Sequence, residues 1–368
     1  MPAIRVLVVD DAVVVRRLVS GVLDAEPDLE VVGTAPNGRI ALAKIPMVKP
    51  DIVILDVEMP VMGGLETLKA IRQSYRDLPV IMFSALTERG ATTTLDALAL
   101  GANDYAAKPA GVRDVAAAKE YIRANVASKI RAFCSTPTAH TPAASPIAPL
   151  PSLKPRPARR RPQRIDVVAL GVSTGGPNAL AALMPTIPAD FPVPLVIVQH
   201  MPPVFTKSLA KRLTSLSGLA VYEGNNGALL RPGTAWIAPG DYHMGLYQEQ
   251  ECVYVRTHQG SPEHACRPAV DVLFRSVAEV YGPHVLAVIL TGMGQDGLLG
   301  CQHILEAGGQ VIAQDEATSV VWGMPGAVAK AGLADKVLPL DQIGFEVVRR
   351  VHSNRSRLEP TNALTARP

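Results

Sequence analysis

Three residue types that together can activate a hydroxyl stand at the ends of separate apolar runs: Ser173, His200 and Asp296. Ser173 lies in Gly171-Val172-Ser173-Thr174-Gly175, directly after the run Ile165–Leu170. This fits G-x-S-x-G, where small neighbours permit a sharp strand-to-helix turn that presents the serine. A serine becomes a nucleophile near neutral pH only with a base and a group that orients the base. His200 ends the run LVIVQH, and Asp296 closes VLAVILTGMGQD. A single histidine after a strand is more often structural, and an aspartate before Gly297 can simply cap a turn or helix. Three such residues on the carboxyl edge of one sheet point instead to acyl hydrolysis. A dinucleotide-binding loop would need glycine in place of Ser173 and an acid where His200 ends the next strand. A general phosphate loop at a helix N-terminus is physically compatible with the glycines. The chain order Ser…His…Asp departs from the Ser…Asp…His order of α/β-hydrolases. His243, His258 and His264, in or just after a β-rich stretch, are less favoured bases.

A second constellation lies near the N-terminus. Asp10 and Asp11 follow the run Ile4–Val9, and Asp56 follows Ile52–Leu55. Strand ends of an open α/β sheet converge on one crevice, and carboxylates clustered there suit a hard divalent cation such as Mg²⁺. Ser84 and Lys108 end two further runs; a hydroxyl and an ammonium match the charge of a phosphoryl group. Asp56 would be the phosphoryl acceptor, as carboxylates are in aspartyl-phosphate chemistry.

The elements that must position these residues alternate in type. Strands are expected at Ile4–Val9, Leu29–Thr34, Ile52–Leu55, Val80–Phe83 and Asp104–Ala106. Helices are expected at Ala12–Leu23, Gly38–Ile45, Gly64–Ser74, Thr92–Leu100 and Val112–Ala132. Five β/α units predict a doubly wound, flavodoxin-like domain over residues 1–125 with five parallel strands. A linker is expected over 126–164. Within it, 134–164 holds eight prolines among Ser, Thr, Ala and basic residues, too little apolar surface to offset the entropy of ordering. A second α/β domain is expected over 165–352, with strands at Ile165–Leu170, Leu195–Val198, Thr234–Ala238 and Val285–Leu290. Its helices fall near Ala179–Leu183, Thr206–Leu216, Ala269–Val280 and Gly297–Ala307. Between Ala235 and His258 shorter pieces with turn residues predict an antiparallel insertion. Residues 353–368 read as a flexible tail.

Composition narrows the function classes. The net charge of +3 rests on residues 154–164, which carry six basic residues and no acid; without them it would be −3. That segment accompanies no nucleic-acid-binding motif, so no nucleic-acid partner is expected. No apolar run is long enough for a membrane span, so no membrane insertion is expected, and no secretory leader pattern is visible. Cys134, Cys252, Cys266 and Cys301 form no CxxC pair, which fits reduced thiols in a cytoplasmic protein.

Residues 3–125 resemble the response-regulator receiver family through VDD at 9–11, LDVEMPVMGG at 55–64, SA at 84–85 and KP at 108–109. The resemblance implies phosphoryl transfer from a chemotaxis histidine kinase to Asp56. It implies Mg²⁺ held by Asp11, Asp56 and the backbone carbonyl of Glu58, with Asp10 supporting through water, and Ser84 and Lys108 reporting phosphorylation. Gly63 stands where the family usually carries Asp or Asn. Residues 165–350 resemble chemotaxis protein-glutamate methylesterases, the CheB family, through GVSTGGP (171–177), QHMPPVFTKSLAKRL (199–213), APGDYHM (238–244), RPAVDVLFRSVA (267–278), TGMGQDG (291–297) and WGMPGAV (322–328). That resemblance implies the triad Ser173, His200 and Asp296, with Thr174 and Met293 binding substrate or the oxyanion. It implies a cytoplasmic hydrolase that cleaves glutamate methyl esters on methyl-accepting chemoreceptor helices and deamidates receptor glutamines, with no cofactor for the esterase step. Two other readings keep the receiver: the same chemistry in a chemosensory pathway other than motility, or a phosphate sink or adaptor. A DNA-binding regulator is disfavoured, because the second domain shows no helix-turn-helix signal.

Overall fold

The computed structural model describes residues 2–109, 115–134 and 164–355. Most of the expected linker and tail lies outside the described residues. The first sheet has five parallel strands in the order β2-β1-β3-β4-β5: β1 (Ile4–Val9), β2 (Leu29–Ala35), β3 (Ile52–Asp56), β4 (Val80–Ser84) and β5 (Asp104–Ala107). The helices between them are α1 (Val13–Leu23), α2 (Gly38–Val48), α3 (Gly64–Ser74) and α4 (Glu88–Ala99). Local chemistry sets the starts of two of them. The Asn37 side chain accepts the Ile40 N–H at 3.0 Å to cap α2, and the Thr87 hydroxyl accepts the Gly90 N–H at 3.0 Å to cap α4.

Alternate residues of each strand face opposite sides, which splits the apolar runs into two layers. Val6, Val8, Ile54 and Phe83 pack against α1 and the closing helices. Leu7, Val9, Leu55 and Met82 pack against α2, α3 and α4.

The closing helix, expected over Val112–Ala132, continues past residue 125. It runs as α5 (Val115–Ile122), a π-helical turn at Arg123–Ala127 and α6 (Ser128–Cys134). Val126, Ala127 and Ile130 are fully buried in the first domain's core. Arg131 clamps Asp28 through two bonds of 2.6 and 2.7 Å and reaches Glu26 at 2.8 Å. Packing therefore carries the first domain through Cys134, and only the proline-rich stretch beyond it fits the composition of a linker.

The second sheet has seven parallel strands in the order β14-β13-β12-β6-β7-β9-β8. These are β6 (Val167–Val172), β7 (Leu195–Gln199), β8 (Ala220–Glu223), β9 (Thr234–Ile237), β12 (Val285–Ile289), β13 (Gln310–Gln314) and β14 (Lys336–Leu338). The antiparallel insertion is the hairpin β10 (His243–Glu249) and β11 (Cys252–His258). Helices α7 (Gly176–Leu183), α8 (Phe205–Leu216) and α12 (Leu340–Arg355) cover one face; α9 (Val270–Tyr281), α10 (Leu298–Glu306) and α11 (Met324–Lys330) cover the other. The α12 helix extends to Arg355, three residues past the expected domain end. Chain direction across the sheet reverses between β6 and β12, the position where doubly wound folds open a crevice. Among the described residues, no helix is long and apolar enough to cross a membrane.

The two domains meet through α4 and β5 on one side and α7 and α8 on the other. The rings of Tyr105 and Phe205 stack with centroids 5.0 Å apart and planes 11° apart. Arg212 reaches Asp96 at 3.2 Å, Lys207 lies 3.7 Å from Glu88, and Asn178 Nδ2 donates to the Ala102 carbonyl at 3.5 Å. One continuous apolar cluster runs across this contact.

Candidate active site and phosphoacceptor site

Ser173, His200 and Asp296 occupy the loops after β6, β7 and β12, three adjacent strands at the switch point. The Ser173 loop turns sharply: Gly175 has φ +76°, and a Cβ there would meet Val320 at 2.7 Å, so only glycine fits. The neighbouring loop comes close as well, because a Cβ on Gly292 would lie 2.8 Å from Ser173 Cβ. The two loops are tied by the Ser173 N–H donating to the Thr291 carbonyl at 3.0 Å. The Thr291 hydroxyl adds a second tie, donating to the Thr174 carbonyl at 3.0 Å.

His200 and Asp296 form a contact pair, with Nε2 2.7 Å from Oδ2. Asp296 does cap a helix, but not the one it precedes. Its two oxygens accept the Val270 and Asp271 N–H groups at 2.6 and 2.9 Å, at the start of α9. Burial disfavours its charged form, and His200 with these N–H groups outweighs burial to hold its pKa below the ordinary value. For His200, burial lowers the pKa, and Asp296 together with Cys266 more than offsets that, so it is raised. The second ring nitrogen, Nδ1, lies 3.6 Å from Cys266 Sγ. The Ser173 hydroxyl makes no hydrogen bond among the described residues, so the nucleophile-to-base bond is the one link of the set that is open.

Sequence reasoning passed over Cys266. It is 66 residues from His200, and no local pattern joins the two. The less favoured histidines are accounted for by other contacts. His243 is buried against the Ser261 carbonyl and the Ala269 N–H, the His258 ring lies 5.3 Å from it at a tilt of 41°, and His264 pairs with Asp271 at 2.8 Å.

Thr174 is buried and Met293 half-buried. Their N–H groups belong to peptide planes whose carbonyls are each held by two donors. Ser173 C=O accepts from Gly176 N at 2.8 Å and Gln199 Nε2 at 3.0 Å; Gly292 C=O accepts from Gly323 N at 3.0 Å and Met324 N at 2.8 Å. Carbonyl and N–H of a trans peptide point in opposite directions. No described residue accepts from either N–H.

In the first domain, Asp10, Asp11 and Asp56 each place a carboxylate oxygen within 4.8 Å of the others. Lys108 Nζ bridges Asp10 and Asp56 at 2.7 and 2.8 Å. Burial lifts the Asp56 pKa to about 6, Lys108 opposes the rise and the Asp10 charge adds to it. Such a crowded set of acidic oxygens fits a divalent cation, which would offset the repulsion. The Asp10 carboxylate also accepts the Ala12 N–H at 2.9 Å. Asp11 and Glu58 line an open cleft of about 430 Å³ beside Asp56, together with Met59, Arg89 and Thr93. Ser84 is fully buried at the end of β4, its hydroxyl 3.4 Å from the Ala85 carbonyl.

Comparison with known proteins finds a match for each of the two domains. Residues 168–347 match the CheB methylesterase family, and residues 6–120 match the response regulator receiver domain. A protein-glutamate methylesterase/protein-glutamine glutaminase of Trichodesmium erythraeum is 54% identical over 351 residues, 95% of this chain and 100% of its own length. A protein of the same name from a Nocardioides species is 50% identical over 368 residues, 99% of this chain and 100% of its own. The solved CheB methylesterase catalytic domain of Thermotoga maritima is 45% identical, with a TM-score of 0.50, covering 50% of this chain and 98% of that one. With two such relatives aligned across both domains, the chain belongs to the CheB methylesterase family and carries a response regulator receiver domain ahead of the family's catalytic domain.

Proposed function

We propose that the protein is a phosphorylation-regulated protein-glutamate methylesterase and glutaminase, with Ser173 as nucleophile, His200 as base and Asp296 as the group that orients it. The observation that carries the reading is the buried 2.7 Å contact between His200 Nε2 and Asp296 beside the loop of Ser173. With Nε2 donating to the carboxylate, Nδ1 is the basic nitrogen. It takes the Ser173 proton as Oγ attacks the γ-carbonyl of a glutamate methyl ester. The carbonyl oxygen becomes an oxyanion, met by the Thr174 and Met293 N–H groups. Collapse breaks the bond to the methoxy group, which leaves as methanol with the proton from His200. Water, deprotonated by the same nitrogen, then releases glutamate and frees Ser173. With a receptor glutamine the leaving group is ammonia.

In the receiver, Asp56 would accept a phosphoryl group from a histidine kinase, with Asp10, Asp11, Asp56 and the Glu58 carbonyl as the cation-binding set. A bound Mg²⁺ neutralises charge on the phosphoryl oxygens. Lys108 would exchange its Asp56 contact for a phosphoryl oxygen, and Ser84 would follow. The receiver's α4–β5 face rests on α7 and α8, the helices that directly follow the Ser173 and His200 loops. Phosphorylation would loosen that contact and open the site to receptor helices.

Methanol release from methylated receptor tests the esterase reading. Ser173→Ala should release none above background while still accepting phosphate at Asp56. Methanol release by that variant at even a tenth of the wild-type rate would remove Ser173 from the role.

A further inference from the structure

A buried glutamine closes each of the strands flanking the central pair: Gln199 ends β7 and Gln314 ends β13, with 1% and 0% exposure. Gln314 is satisfied at both ends of its amide. Its oxygen accepts the Thr291 N–H at 2.8 Å, and its nitrogen donates to the Thr318 carbonyl at 2.7 Å. Gln199 is not. Its nitrogen donates to the Ser173 carbonyl at 3.0 Å and the His200 carbonyl at 3.1 Å, while its oxygen is buried without a partner. An unpaired buried amide oxygen is costly, and an apolar side chain of the same shape would avoid that cost. The two donated bonds are what the amide supplies in return.

We propose that Gln199 is a positioning residue for the oxyanion site, holding the Ser173 carbonyl so that the Thr174 N–H on the opposite edge of the same peptide faces the reacting carbonyl oxygen. The inference deepens the esterase reading above and rests on it. The peptide between Ser173 and Thr174 is planar, so fixing one edge fixes the other. The main chain supplies one hold on that carbonyl, the Gly176 N–H at 2.8 Å; Gln199 supplies the second, from a different strand. The fit is tight, because a Cβ on Gly176 would lie 1.9 Å from the Gln199 oxygen. A donor aimed before the charge develops needs no reorganisation during reaction, which is where such groups gain their effect. Without Gln199 the Ser173 peptide keeps one anchor and gains freedom to rotate.

Gln199 also touches the His200 carbonyl, so the test must separate an effect through the N–H from one through the base. Full-length phosphorylated wild type and Gln199→Met are compared in methanol release and in the rate at which a fluorophosphonate labels Ser173. Expected is a kcat lower by roughly ten- to a hundredfold, with KM within about threefold, since the lost interaction exists only in the transition state. The pH limb of kcat/KM stays in place, and labelling slows by a similar factor, because the phosphonyl oxygen needs the same N–H. A kcat within threefold of wild type overturns the proposal. So does a shifted pH limb, a loss carried by KM, or labelling at the wild-type rate. Should Gln199→Met melt far below wild type, labelling of Gln199→Glu decides. That side chain keeps the shape but turns an oxygen toward two carbonyls, so it is expected to label more slowly still, and wild-type labelling overturns the proposal. A wild type that labels at Ser173 yet releases no methanol defeats the esterase reading, while the labelling comparison still decides the role of Gln199.

Discussion

Asp296 Oδ2 serves two partners at once, His200 Nε2 at 2.7 Å and the Val270 N–H at 2.6 Å. Because Oδ1 accepts the Asp271 N–H as well, all three donors converge on one carboxylate. Asn at this position would put an amide nitrogen against a donor whichever way it turned. Asp296→Asn is expected to lower kcat by roughly 10³- to 10⁴-fold by losing the productive imidazole tautomer. A histidine works as a base only when neutral, and the carboxylate raises the His200 pKa. The limb of kcat/KM should therefore lie above the ordinary imidazole value of about 6.5 in wild type and move down in the variant's residual activity. Methanol release measured across pH checks both. A loss smaller than tenfold would refute the role.

The Tyr105–Phe205 stack joins the receiver to the helix that follows His200. Tyr105→Ala removes that contact without touching the candidate centre. Stacked aromatic pairs contribute about 0.5–1.5 kcal/mol beyond their area, so the closed arrangement should weaken by roughly two- to tenfold. Unphosphorylated esterase activity is expected to rise by about that factor, with phosphorylated activity nearly unchanged. Equal activities for variant and wild type in the unphosphorylated state would argue that this face does not restrain the enzyme.

Asp56 shows how a buried carboxylate costs stability. Its folded pKa of about 6 lies above the ordinary Asp value of about 3.9. The folded receiver thus binds this proton more tightly than the unfolded chain does. Its contribution is most favourable below the unfolded value and is lost as pH climbs through about 6. Without divalent cation at pH 7.5, Asp56→Asn should stabilise the receiver by about 1–3 kcal/mol, since Asp10 keeps Lys108 as a partner. The difference should vanish near pH 4, and Mg²⁺ should raise the melting temperature of wild type more than that of the variant. Thermal melts over that pH range provide the check; a variant that is less stable at pH 7.5 would contradict the sign.

The amino-acid sequence by itself determined the elements whose signal is local. Runs such as IRVLVV, IVILD and LVIVQ form central parallel strands because both faces of the sheet bury them. The small residues around Ser173 fix a turn that larger ones could not enter. Strand ends carrying Asp10, Asp56, Ser173 and His200 were legible for the same reason. The short strands β8, β13 and β14 were not read out. Two of them, β8 and β14, lie at the sheet's edges and are partly exposed, so their apolar content is weak; β13 is buried over most of its length but spans only Gln310–Gln314. The expected domain end at residue 125 falls inside the closing helix, whose Arg131 is held by Asp28 and Glu26, about a hundred residues earlier. Only the tertiary structure decided which groups surround the candidate centre. Asp296 caps a helix 26 residues before it, Cys266 sits against His200, and Gln199 braces the Ser173 peptide from the next strand. These are contacts between residues far apart in sequence, set by register and loop approach, and no local pattern of residue types encodes them.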